Sequence, residues 1–93
     1  MTNATIYYNL AKKVPDEIRL DLLTDNVIYK AVAAAHDIHM AILLVVYNNH
    51  VHPGAEPINI NNPCLKCLAN VLDIFRELEP YLIMVEKESK LLV

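Results

Sequence analysis

From Cys64 to Leu92 apolar residues recur at alternating steps of four and three: Cys64, Leu68, Val71, Phe75, Leu78, Leu82, Val85 and Leu92, with Ser89 the polar break. A strand repeats every two residues and cannot carry that spacing, whereas a helix burying one stripe can. The register passes through Pro80 unchanged, which predicts one kinked helix in place of two. Asn62-Pro63 marks its start, a capping residue followed by proline at the first helical position.

The same spacing runs upstream through Leu20, Leu23, Val27, Ala31, Ala34, Ile38, Ala41 or Ile42, and Val45. Pro15 suits a helix start, and Asp16 and Glu17 place negative charge on the positive end of the helix dipole. Thr24-Asp25-Asn26 is the weak point where this helix would break and recap. Ile42 to Tyr47 is apolar on every side and β-branched enough to suit a buried strand. Helix is the preferred reading, because the periodicity enters the segment without a turn signal. Ahead of Pro15, Ile6, Leu10 and Val14 predict a short helix capped by Thr2 or Asn3. Residues 48–63 hold three of the five prolines, the single glycine and five asparagines, and read as a linker.

These readings predict an all-α fold and one domain over residues 1–93: a short N-terminal helix, then a long antiparallel helical hairpin. A helix over residues 15–47 would be about 50 Å long. Its second half is apolar all round, and such a helix must be surrounded. Self-association into an oligomeric helix bundle is the expected remedy. The alternative is a compact three-helix monomer in which the chain folds back at Thr24-Asp25-Asn26.

Composition narrows the function. With 8 Lys+Arg against 11 Asp+Glu and no basic tail, the chain is not expected to hold duplex nucleic acid, which needs rows of cations. Met40 to Tyr47 is the longest apolar run, far short of the roughly 20 residues that span a bilayer. Met1 to Leu10 lacks the charged and apolar regions of a signal peptide. Two cysteines are too few for a secreted disulfide framework, so the expected setting is a reducing cytoplasm. One glycine excludes a Gly-rich phosphate cradle. Glu77/Glu79 and Glu86/Glu88 stand at i, i+2 and do not face each other on a helix. No Ser-His-Asp arrangement is present, and a non-enzyme without a cofactor is expected.

Four groups of residues are candidates for chemistry or binding. Cys64-Leu-Lys-Cys67 lies where a helix N-terminus lowers a thiol pKa, as in redox dithiols. The strands of a thioredoxin-like fold are absent, and Cys64 falls on the apolar stripe, so core packing is the expected role. His50, His52, Cys64 and Cys67 together supply the four ligands of a zinc site. His36-Asp37-Ile38-His39 places two imidazoles at i, i+3, without the Glu of a metalloprotease helix. Tyr7, Tyr8, Lys12, Lys13 and Arg19 form the basic, aromatic cluster, with ring faces and cations suited to a small anionic ligand.

In outline, the Tyr/Lys-bearing short helix before a long hairpin resembles small phage proteins that sequester cyclic nucleotides between protomers, with Tyr8 and Lys12 as the matching residues. The resemblance implies a nucleotide-like ligand at a subunit interface. The expected function is a non-enzymatic interaction or structural module that pairs with itself and with another protein. The alternatives are an oligomeric binder of a small anionic ligand through Tyr7, Tyr8, Lys12 and Arg19, and a small zinc-stabilised domain.

Overall fold

Pro15 and Asn26 divide the N-terminal half of the chain. The structure, a computed structural model, describes residues 3–34, 38–52 and 56–91. Thr2, the His36-Asp37 pair, Pro53, Gly54 and Leu92, named above, lie outside the described residues. The helices are α1 (Asn3–Lys13), α2 (Asp16–Thr24), α3 (Val27–Ala34), α4 (Ile38–Val46) and α5 (Leu65–Leu91), and no strand occurs among the described residues. Ile42 to Val46 is therefore helix.

Helix α1 ends on Lys12 and Lys13, two cations on the negative end of its dipole. Pro15 stands one position before α2, with φ −57° and ψ 149°, and its carbonyl accepts the Arg19 N–H at 2.9 Å. The chain then breaks at the Thr24-Asp25-Asn26 weak point. Asn26 has φ 52°, the left-handed conformation that asparagine tolerates better than any residue but glycine. The Asp25 N–H still bonds back to Asp21 at 3.0 Å, and the Asn26 carbonyl accepts the Lys30 N–H at 3.0 Å to open α3. The expected 50 Å rod over residues 15–47 is thus not continuous, and α3 packs along α4.

Helix α5 is the spine, and each of the other four helices packs against it. Its 27 residues correspond to about 40 Å, matching the 40 Å long axis of the molecule. The spacing read from the sequence is the one buried: Val71, Phe75, Leu78, Leu82 and Val85 enter the core. Pro80 sits inside the helix on its exposed side, so the lost backbone bond falls toward solvent. The facing core comes from Ala11, Val14, Leu22, Ala31, Met40, Leu43 and Leu44. The radius of gyration, 12.9 Å, is close to the roughly 12 Å of a single compact domain of this length.

The linker is shorter than the expected 48–63, because α4 continues into a π-helical turn over Tyr47–Val51. The His52 N–H bonds to the Tyr47 carbonyl at 2.9 Å, five residues back. This wider turn keeps Tyr47 and Val51 buried together. The connection is then clipped to the helix end. The Asn48 Nδ2 donates to the Ile58 carbonyl at 2.9 Å, and the Ile58 N–H donates to Asn48 Oδ1 at 2.9 Å. One side-chain amide thereby satisfies both backbone groups of a loop residue, the demand that any half-buried backbone makes.

Candidate functional site

Helix α4 carries no Asp, Glu, Lys or Arg between Ile38 and Val46. One face, Met40, Leu43, Leu44 and Tyr47, at i, i+3, i+4, i+7, is buried. The opposite face, Ile38, Ile42 and Val45, at i, i+4, i+7, is 69%, 38% and 42% exposed. These three side chains form one wall of an open groove of about 550 Å³. Ile18, Leu22 and Val27, from α2 and the start of α3, form the other wall, with Asp21 and Asp25 on the rim. Leu20 and Tyr29 are further exposed apolar side chains on α2 and α3. Ile38, Ile42 and Val45 thus leave apolar surface in water along one groove.

The sequence pointed to an uncovered apolar face over residues 40–47 but did not single out Ile38, Ile42 and Val45 as its members, because it read Leu20 through Val45 as a single seam. Within that seam Val27 and Ala31 are buried while Leu20, Ile38 and Val45 are exposed, so its members do not face the core as one stripe. The signal was present in the all-round apolarity of residues 40–47 combined with the Thr-Asp-Asn break.

The basic, aromatic cluster is not gathered into one cradle. Arg19 is 3% exposed, the buried charged residue among those described. Its Nε donates to Glu86 Oε2 at 2.8 Å and its Nη1 to Asp16 Oδ1 at 2.9 Å. Its guanidinium ties α2 to α5 and does not face an open site. Tyr8 lies under Lys12, whose Nζ stands 5.5 Å from the ring centroid, and the Tyr8 hydroxyl donates to Glu88 Oε2 at 2.6 Å. That hydrogen bond, then partial desolvation and the Glu88 charge, raise the Tyr8 pKa above its ordinary value. Glu88 also sets a negative charge where an anion held by Tyr8 and Lys12 would have to sit. Tyr7 points elsewhere, stacked on Tyr81 of α5 at 6.2 Å and 13° between planes. It shares a second groove, of about 580 Å³, with Lys13, Tyr47 and His52. The Tyr47 and His52 rings are 6.0 Å apart there, brought together by the π-helical turn.

The four zinc-ligand candidates are divided. His50 belongs to the π-helical turn and His52 follows it, while Cys64 and Cys67 are joined to each other as a disulfide. Among the described residues no three His, Cys, Asp or Glu side chains are grouped to hold a metal. Cys64 does not enter the core, as its place on the stripe suggested. It is exposed, because α5 begins one residue after it, and Cys67 is half-buried. Among the described residues no helix is long and apolar enough to cross a membrane. No family model, curated protein or solved structure matches the chain.

Proposed function

We propose that the chain is a non-catalytic interaction module whose outer α4 face pairs with a second copy of itself. The observation that supports this is the Ile38/Ile42/Val45 stripe, contiguous and exposed on a helix without Asp, Glu, Lys or Arg. An uncharged face meets its own copy without repulsion, and an isologous pair sets each stripe against the other. The acidic rim of Asp21 and Asp25 keeps the contact centred on α4, since two such rims repel if they are brought together. Together the three side chains leave about one and a half side chains' worth of apolar surface in water, or roughly 2–4 kcal/mol per copy when covered. Association itself costs about 4–15 kcal/mol. The pair is therefore weak, with dissociation in the millimolar range at best.

The test is native mass spectrometry and light scattering across a concentration series. A concentration-dependent dimer is expected, and Ile42→Glu should leave a monomer of unchanged helicity, since Ile42 lies outside the core. A monomer at all concentrations, or a dimer indifferent to Ile42→Glu, overturns the reading.

A second reading rests on the groove of Tyr7, Lys13, Tyr47 and His52, where two aromatic rings and two basic side chains converge. It suits a small aromatic anion, and it moves the anion-binding role away from Tyr8, Lys12 and Arg19. A nucleotide panel should raise the melting temperature of the wild-type chain but not of Lys13→Ala. No shift at millimolar ligand removes this reading.

A further inference from the structure

We propose that Cys64 and Cys67 form a thiol–disulfide exchange site that reacts with the disulfides of low-mass thiols. The pair closes as a disulfide at the N-terminus of the 27-residue helix α5. Cys64 holds the capping position: its carbonyl accepts the Leu68 N–H at 3.0 Å, and its Sγ accepts the Cys67 N–H at 3.1 Å. A thiolate on Cys64 would occupy the place where a capping oxygen sits, facing free N–H groups and the positive end of the dipole. The first turn of α5 contains no acidic residue, and Lys66 stands between the two cysteines. Both features favour the thiolate. Access then distinguishes the two sulfurs. Cys64 is exposed and open to an incoming sulfur, whereas Cys67 is half-buried.

The exchange proceeds in two balanced steps. The Cys64 thiolate attacks one sulfur of the incoming disulfide. A mixed disulfide forms, and the other sulfur leaves as a thiolate that takes up a proton. Cys67, deprotonated, then attacks the Cys64 sulfur. The internal disulfide forms and the second partner sulfur leaves as a thiol. The chain loses two electrons and two protons, and the partner gains them. Run backward, the same steps oxidise a dithiol.

The probe is glutathione, with the full chain. In glutathione redox buffers the wild-type disulfide should open and close reversibly as a two-thiol unit, without accumulating a glutathione adduct. Cys67→Ser should trap one glutathione per chain from oxidised glutathione, and a dithiol should release it. Cys64→Ser should react more slowly. A trapping rate several-fold higher for Cys67→Ser than for Cys64→Ser is expected, because Cys64 is the exposed sulfur at the helix N-terminus. Equal trapping rates for the two variants overturn the proposal, as does a wild-type disulfide that excess reduced glutathione cannot open. Circular dichroism verifies that each serine variant keeps its helices. If either unfolds, the wild-type titration decides alone, because a purely structural disulfide stays closed throughout it.

Discussion

Replacing Arg19 with alanine should destabilise the chain by about 2–4 kcal/mol. The guanidinium is buried, and its two carboxylate partners differ in kind. Asp16 is 81% exposed and contributes less than about 1 kcal/mol, as surface ion pairs do. Glu86 is 16% exposed and loses its partner in a partly desolvated place. Breaking a fully buried pair costs about 3–5 kcal/mol, and the residual access of Glu86 to water brings the figure down. A chain of 93 residues has roughly 5–14 kcal/mol in all. The variant should therefore melt about 8–32 °C lower, at about 4–8 °C per kcal/mol. Urea unfolding followed by circular dichroism measures the loss directly. Asp16→Ala should fall within about 1 kcal/mol of wild type, and Arg19→Met/Glu86→Leu should recover most of the stability, because an apolar pair leaves no orphaned charge. If Arg19→Ala costs under about 1 kcal/mol, or if the Arg19 and Glu86 substitutions prove additive, the α2–α5 tie is not what the geometry implies.

The Tyr8–Glu88 bond predicts an alkaline dependence of stability. The folded pKa of Tyr8 lies above its unfolded value, so the contribution is fully present below about pH 10 and is lost as pH rises through the folded pKa. Phenolate absorbance should show a late-titrating tyrosine that is missing in Tyr8→Phe and shifted down in Glu88→Gln, and an unshifted titration in both variants contradicts the bond. Pro80→Ala should raise stability by about 1–3 kcal/mol by restoring a backbone bond in α5, since Pro80 is exposed. A lower melting temperature would mean that the backbone geometry proline imposes at Pro80 is needed to seat Leu78 and Leu82.

The C-terminal helix was legible because its signal is local. Its four-three spacing lies within one segment, although the Asn62-Pro63 start signal falls two residues early, since the helix opens at Leu65 with Cys64 as its cap. The break at Thr24-Asp25-Asn26 was legible as a weak point, but propensity alone does not say that Asn26 adopts a left-handed turn. The seam assumed one continuous helix; with the chain broken there its members divide, Val27 and Ala31 to the core and Ile38 and Val45 to solvent. Arg19 was misplaced for a different reason. Next to Lys12 and Lys13 it reads as part of a positive patch, and its partner Glu86 lies 67 residues away. The cysteines were misread by one position: Cys64 continues the apolar spacing yet stands just outside the helix that gives the spacing meaning.

The dependence of every other helix on α5 has a consequence for how the chain is made. On the ribosome α1 to α4 emerge first, and their inner faces wait uncovered until Phe75, Leu78 and Leu82 follow. The Tyr8–Glu88 contact closes across 80 residues, so α1 must hold its place until nearly the end of α5 has appeared. At about 5–20 residues per second, the 27 residues of α5 take roughly 1–5 s to synthesise. For that interval the nascent chain presents exposed apolar helices to its surroundings, and its folding belongs to the moments after translation of α5, in the company of whatever chaperones attend the tunnel exit.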